Sequence, residues 1–237
     1  MWLVVIATMI DNRIKKRYVR AIAWLICLLL SGGTFYFVAI KLGYLFPINI
    51  LWRILTDVEH SQPLHSPPDY RQLLNYDRPI SDILNPGTLD PSKTSILIDK
   101  SQGTLTLYYD LQPIKSYPVV FGGSPTGDKL REGDRKTPEG IFKVRDMYPH
   151  SGWSKFIWLD YPTANSWRNH LKAKKQGIIP ISATIGGEIG IHGVPLGSDD
   201  IIDRKNNWTL GCISLKNKDV DELYRAIKTG TTVEIRK

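Results

Sequence analysis

From Ala21 to Ile40 the chain reads AIAWLICLLLSGGTFYFVAI, twenty residues without a charge. That is the length a helix needs to cross the hydrocarbon core of a bilayer. Arg13, Lys15, Lys16, Arg17 and Arg20 precede the run, and only Lys41 and Arg53 follow it closely. The positive-inside rule then keeps residues 1–20 in the cytoplasm as a basic N-terminus and puts everything after residue 40 outside. A cleaved signal peptide is the competing reading. The run is long for one, no small-x-small pair follows it in a convincing place, and Cys27 is preceded by Ile26 rather than by the small residue of a lipoprotein signal. The expectation is an uncleaved anchor over 21–40. The apolar MWLVVIATMI is too short to span, and Met9 is an alternative start of translation to Met1.

The formal net charge of +8 is placed unevenly. Residues 1–53 carry seven Lys and Arg against one acidic residue, residues 54–93 three against six, and residues 94–237 twenty-one against sixteen. Much of the excess therefore belongs to the flank of the apolar run. Lys172, Lys174 and Lys175 form the one tight basic cluster of the C-terminal part, and its plain reading is a solvated helix face. No recognition motif for nucleic acid is present, so no nucleic-acid partner is expected.

There are two cysteines, Cys27 and Cys212. Cys27 lies in the membrane segment, so the exported part holds Cys212 alone and has no internal disulfide to make. There is no CxxC, and the five histidines are dispersed. The sequence thus implies neither a metal nor a cofactor.

Residues 47–93 hold seven of the fifteen prolines, with poor periodicity and a mildly acidic balance. They read as a juxtamembrane linker over 41–93, with a short helix near Tyr70–Asn75. From Thr94 the texture changes. SILIDKSQGTLTLYYD gives two alternating runs about a Ser101-Gln102-Gly103 turn, and PIKSYPVVFGG, GIFKVRDMY and KFIWLDY read as further strands. Asn165-Ser166 is positioned to cap a helix through about Lys175, stopped at Gly177. IIPISATIGGEIGIHG reads as a hairpin turning at Gly186-Gly187, which places His192 at the end of a buried strand. Asn217 caps a last helix in which Val220, Leu223, Tyr224 and Ile227 repeat on one face, with Gly230 as its stop, and TTVEIRK closes the domain as a strand. The class is mainly β with one or two short helices, preceded by a single transmembrane helix.

A nucleophilic cysteine works as its thiolate, and without a metal the usual help is a nearby histidine. His192 precedes Cys212 by twenty positions, and the polar stretch VPLGSDDIIDRKNN is long enough to bring their strands side by side. Gly193 and Gly211 leave room for close approach, and the amides of Gly211 and Cys212 are candidates to hold an oxyanion. On spacing alone, Cys212 could equally be a core residue and His192 a structural histidine.

I-H-G, a loop, then T-x-G-C-I-x-L resembles the signature of the L,D-transpeptidase (YkuD) catalytic domain family. The sixteen residues between His192 and Thr209 fall inside the family's spacing. FGGSPTGDKLREGDRKTPEGIFKV resembles the family's substrate-side segment, and LIDKSQGTLTLYYDLQPIKSYPV its opening hairpin; together they cover residues 94–237 in the family's order. The resemblance implies a β-sandwich-like catalytic fold. It implies Cys212 as nucleophile and His192 as its base, with the Gly193 carbonyl or a nearby polar group orienting the imidazole and Thr209 hydrogen-bonding near the thiol. It implies that Thr137, Pro138 and Gly140 shape the substrate cleft, with Glu139 paired structurally to a basic residue. The implied partner is a peptidoglycan stem peptide, attacked at the amide carbonyl of a meso-diaminopimelate residue to give a thioester that an amine or water then resolves. Two departures stand out. Leu210 replaces the histidine that many members carry before Gly-Cys, and the Trp208-Thr209 form resembles a branch in which some members hydrolyse peptidoglycan linkages, including the bond to an attached lipoprotein.

Overall fold

A computed structural model describes residues 2–41, 44–56, 63–68, 72–84 and 89–237, with the side chains of the first helix described from Lys16 onward. The chain divides into two compact units at the Pro47–Ile48 junction.

The first unit holds one long helix, α1 (Trp2–Lys41). Its Lys16–Lys41 portion is apolar and long enough to cross a membrane, and most of its side chains are exposed. After the helix, the amides of Tyr44 and Leu45 return to the Ala39 carbonyl at 2.9 and 3.3 Å, satisfying a terminal acceptor.

The second unit is built on one eight-stranded sheet. Its strands are β1 (Thr94–Asp99), β2 (Thr104–Tyr109), β3 (Gln112–Pro118), β4 (Gly140–His150), β5 (Ser154–Leu159), β6 (Gly190–His192), β7 (Ile213–Ser214) and β8 (Thr232–Arg236). Their spatial order is β3-β2-β1-β8-β4-β5-β6-β7. The long β4 joins the two halves: its first residues pair with β8 (Gly140 opposite Ile235), and its remainder pairs with β5 (Met147 opposite Ile157). β3 and β7 are the two ends of that order, yet Val120, just after β3, exchanges backbone hydrogen bonds with Ser214 of β7 at 3.0 and 2.9 Å. The sheet therefore curls until its edges meet, and no long open edge is left there.

Strand positions follow the alternation read from the sequence, and the Ser101-Gln102-Gly103 turn lies between β1 and β2 as expected. Ile96, Leu97, Ile98, Leu105, Leu107, Phe142, Val233 and Ile235 fill the interior. Each such side chain removed from water contributes roughly 1.5–3 kcal/mol. The helices of this unit are α2 (Ile48–Thr56), α3 (Ile80–Ile83), α4 (Ala164–Lys175), α5 (Asp200–Asp203) and α6 (Asn217–Ala226).

Several local expectations are corrected. The helix-start at Asn165-Ser166 is shifted: Thr163 caps α4, and Ser166 returns the favour in a capping box. Asn217 does not cap α6 either. It is the first helical residue, and its Oδ1 accepts from the Val194 amide at 3.1 Å, tying the helix start to the end of β6. The hairpin about Gly186-Gly187 does not form. Residues 181–185 form no strand, and β6 pairs with β5 and β7 instead. The carbonyls of the expected arms are taken elsewhere: Thr184 accepts from Glu132 at 2.8 Å, Ile185 from the Tyr161 hydroxyl at 3.2 Å, and Ile189 from Leu159 at 2.9 Å.

The segment expected as a linker belongs in large part to the folded unit. Arg168 of α4 donates to the Arg53 and Ile54 carbonyls of α2, both at 3.0 Å. His65 is buried, its Nδ1 2.8 Å from Glu234 and its Nε2 2.8 Å from Ser95. Tyr108 donates to Ser66 O at 2.6 Å, and Ile80 N to Glu222 at 2.9 Å. Of the helix expected near Tyr70–Asn75, Tyr70 and Arg71 lie outside the described residues, and Gln72–Asn75 form a bend and turn.

Candidate active site

The site forms where the sheet edges meet. β6 and β7 pair in parallel, with His192 opposite Ser214. Cys212 immediately precedes β7, so the ladder sets the segment that carries it next to the strand end that carries His192.

The imidazole is held on every side described. Its Nδ1 donates to the Gly193 carbonyl at 2.7 Å, and Ser214 Oγ donates to the same oxygen at 3.2 Å. That bond fixes the proton on Nδ1 and leaves the Nε2 lone pair as the basic position. Trp153 stacks on one side with centroids 4.4 Å apart, and Phe156 lies nearly parallel at 5.8 Å. Trp208 meets the ring edge-on at 5.7 Å. Behind Trp153, His150 stacks in turn at 4.5 Å. This apolar enclosure disfavours the imidazolium and pushes His192 down to about 4, with the His150 charge acting in the same direction against the Gly193 hydrogen bond.

Gly193 is required on steric grounds. A Cβ there would collide with Asn217 Oδ1 and lie 2.6 Å from Trp153 O. The same Asn217 oxygen holds the Val194 amide, so strand end, helix start and imidazole share one tightly packed corner.

Cys212 is half-buried, and its thiol donates to the Glu188 carbonyl at 3.5 Å. Glu188 presents that carbonyl from a left-handed backbone, φ +56°, a conformation rare for a residue of its kind. Burial pushes the thiol up to about 11, while a backbone hydrogen bond from Gly190 and the nearby Lys129 charge pull the other way. The expected help of a histidine in forming a thiolate is therefore not seen as a preformed ion pair. The free site holds a neutral thiol and a neutral imidazole.

Thr209 and Gly211 shape the backbone around the cysteine. Thr209 Oγ1 donates to the Cys212 carbonyl at 2.7 Å and accepts from the Gly211 amide at 3.1 Å. Thr209 thus bonds to the backbone flanking the thiol, and the Gly211 amide is engaged rather than directed at an oxyanion. Gly211 sits at φ +144°, and a Cβ would come within 2.7 Å of Lys136 O.

Thr137 is fully buried behind this loop, its Oγ1 accepting from the Gly122 amide at 3.2 Å. Pro138 is buried beside it, and Gly140 opens β4 opposite Ile235. The expected structural partner of Glu139 is Lys100, which donates to it at 2.7 Å and to the Thr137 carbonyl at 3.1 Å. Leu210, in the position where many family members carry histidine, is exposed.

Trp153, Phe156, His150, Ser214, Asn217 and Glu188 were not singled out from the sequence. The Ser-Gly-Trp turn between two strands carried a weak signal for Trp153, since a large aromatic at a tight turn has little core to join. Among the described residues no group of three or more His, Cys, Asp or Glu is arranged to hold a metal.

The L,D-transpeptidase catalytic domain family model, YkuD, matches residues 93–235. Over 148 residues the chain is 27% identical to YafK of Escherichia coli (strain K12), a protein named provisionally as an L,D-transpeptidase; the match covers 60% of this chain and 50% of that one. The chain thus spans about half the length of the curated relatives it matches. Among solved structures, it is similar to the helical cell shape determining protein Pgp2 from Campylobacter jejuni, at 25% identity and a TM-score of 0.45, covering 61% of this chain and 47% of the other. It is also similar to an L,D-transpeptidase from Mycobacterium tuberculosis H37Rv, at 15% identity and a TM-score of 0.41, covering 61% and 58%. With the family's profile matched over residues 93–235, a span that includes both His192 and Cys212, the chain belongs to the YkuD L,D-transpeptidase catalytic domain family.

Proposed function

We propose that the chain is a membrane-anchored enzyme that transfers acyl groups of peptidoglycan stem peptides through Cys212, on the outer side of the membrane. The observation that carries this reading is the Nδ1 hydrogen bond of His192 to Gly193 O, which leaves Nε2 as an acceptor at the strand end that pairs with β7, the strand Cys212 leads into. A neutral imidazole takes the thiol proton as sulfur attacks the amide carbonyl. The C–N bond breaks once that proton passes to the leaving amine, and a thioester remains. A second amine, or water, then attacks the thioester and restores the thiol. With the Gly211 amide engaged by Thr209, the Cys212 amide is the member of that pair left for the oxyanion.

A neutral resting pair fits a nucleophile that is activated only when substrate arrives. Closure of the site over a stem peptide turns the thiol from the Glu188 carbonyl toward His192. The α1 segment Lys16–Lys41 supplies the anchor. A wall-attached lipoprotein is a further substrate of the hydrolytic outcome.

The test uses the full chain beside Cys212→Ala. Each is incubated with purified tetrapeptide muropeptides, with and without an added D-amino acid, and the products are weighed. Cys212-dependent dimers, or exchange of the terminal residue, establish transfer. Loss of the terminal residue to water alone establishes a hydrolase. Identical products from both proteins would refute the role of Cys212.

A further inference from the structure

α2 is apolar on two opposite sides. Ile50 and Ile54 are half-buried in the unit to which α4 also belongs, and Arg168 of α4 reaches the carbonyls at the α2 C-terminus. Ile48, Trp52 and Leu55, spaced i, i+4 and i+7, form a second stripe that is more than two-thirds exposed at each position. A helix apolar all round needs cover on both sides.

Three observations point to the same cover. First, α2 begins at Ile48, only six residues after α1 ends at Lys41, and six extended residues reach about 20 Å. Any bilayer crossed by α1 is therefore within reach of α2. Second, the uncovered stripe includes a tryptophan, and Tyr44 precedes it, residues whose amphipathic rings favour the membrane–water interface. Third, Lys172 and Lys175 repeat on the α4 face that carries Arg168, and both are exposed. They continue along α4 the positive charge that Arg168 begins at the α2 C-terminus, a row suited to anionic headgroups.

We infer that the Ile48/Trp52/Leu55 stripe of α2 lies in the outer headgroup region of an anionic bilayer, with Lys172 and Lys175 of α4 on the headgroups. The stripe seats the catalytic unit on the membrane surface instead of leaving it on a free tether. This inference rests on the membrane reading of α1.

The test places one nitroxide at a time on the full chain, in a Cys27→Ser, Cys212→Ala background, in vesicles of phosphatidylglycerol and phosphatidylcholine. Labels go at Leu29→Cys in α1, at Leu55→Cys, and at Leu196→Cys. Leu196 is exposed and follows β6 at the end of the sheet where β5 begins, whereas α4 follows the end where β5 finishes. Collision with oxygen reports lipid, and collision with an aqueous nickel chelate reports water. The labels at 29 and 55 are expected to favour oxygen, with nickel access at 55 several-fold below that at 196. Lys172→Glu with Lys175→Glu is expected to raise nickel access at 55. Lipid exposure at 29 with full water exposure at 55 overturns the inference and leaves the anchor standing. Water exposure at both overturns the anchor as well. Dipolar broadening between labels at 55 would identify a second copy as the cover and also overturn it. No response to the lysine changes would remove the headgroup contact from the account.

Discussion

His192 and Trp153 stack with ring centroids 4.4 Å apart, so the imidazole leans on an indole contributed by the β4–β5 turn. The contact sets the chemistry more than the shape. An imidazole dehydrated on that face stays neutral through the physiological range and accepts a proton only while the sulfur attacks.

Removing the indole should therefore retune the base. In Trp153→Ala, water reaches the ring and the His192 pKa is expected to climb from about 4 toward the ordinary 6.5. The acid limb of kcat/KM moves up with it, while Trp153→Phe keeps most of the shift. An unmoved limb in Trp153→Ala would assign the low value to something other than the stack.

The wild-type pH profile follows from the same pair. Activity needs neutral His192, so it falls as pH drops through about 4; the thiol ionises only near 11. We expect kcat/KM to be flat across the interval between those values, at least from pH 5.5 to 9 on the estimate that each limb is confined to roughly one pH unit about its pKa. A bell with limbs near neutrality would mean that a thiolate–imidazolium pair exists before substrate binds.

How far the sequence carried this site differs residue by residue. Cys212, His192 and Gly193 drew attention because one short motif sets a cysteine, a histidine and a close-approach glycine at fixed spacing. β1 to β5 were legible because alternation of apolar residues is a local signal. The hairpin at Gly186-Gly187 was misread because the carbonyls of residues 184, 185 and 189 are satisfied by distant partners that no local pattern encodes. α2 and residues 63–68 and 72–84 were read as linker because prolines dominate the stretch, whereas they are held by contacts with residues distant in sequence, such as those of Leu64 and His65 with Glu234.

That clamp has its own consequence. Ser95, His65 and Glu234 follow one another in the order of an acid–base triad, but all three are less than a tenth exposed, so no substrate reaches them and they act as a fastening. His65→Ala leaves the Glu234 carboxylate and Ser95 hydroxyl short of a partner and should cost about 1–3 kcal/mol in denaturant unfolding. Burial lowers the His65 pKa below 6.5. The unfolded chain then binds the extra proton first, so the clamp's contribution is complete above pH 6.5 and shrinks as pH falls below it toward the folded value. Equal stabilities for wild type and His65→Ala at pH 7.5 would remove the clamp from the account.

Gly211→Ala tests the backbone under the nucleophile. A side chain at φ +144° and 2.7 Å from Lys136 O forces the Thr209–Cys212 loop to move. We expect at least a tenfold loss of kcat, about 1.4 kcal/mol in barrier, with the far-ultraviolet spectrum unchanged. Full activity would show that the loop tolerates more than its packing suggests.

The most direct measurement is the mass of the intact protein caught during turnover. The full chain is mixed with tetrapeptide muropeptide, quenched in acid at short times, digested and mapped. The account predicts a thioester adduct, equal to the donor less its terminal residue, on the peptide carrying Cys212. It also predicts a longer-lived adduct when acceptor is withheld, and none in Cys212→Ala. Turnover with no adduct on Cys212, and undiminished in Cys212→Ala, would contradict it.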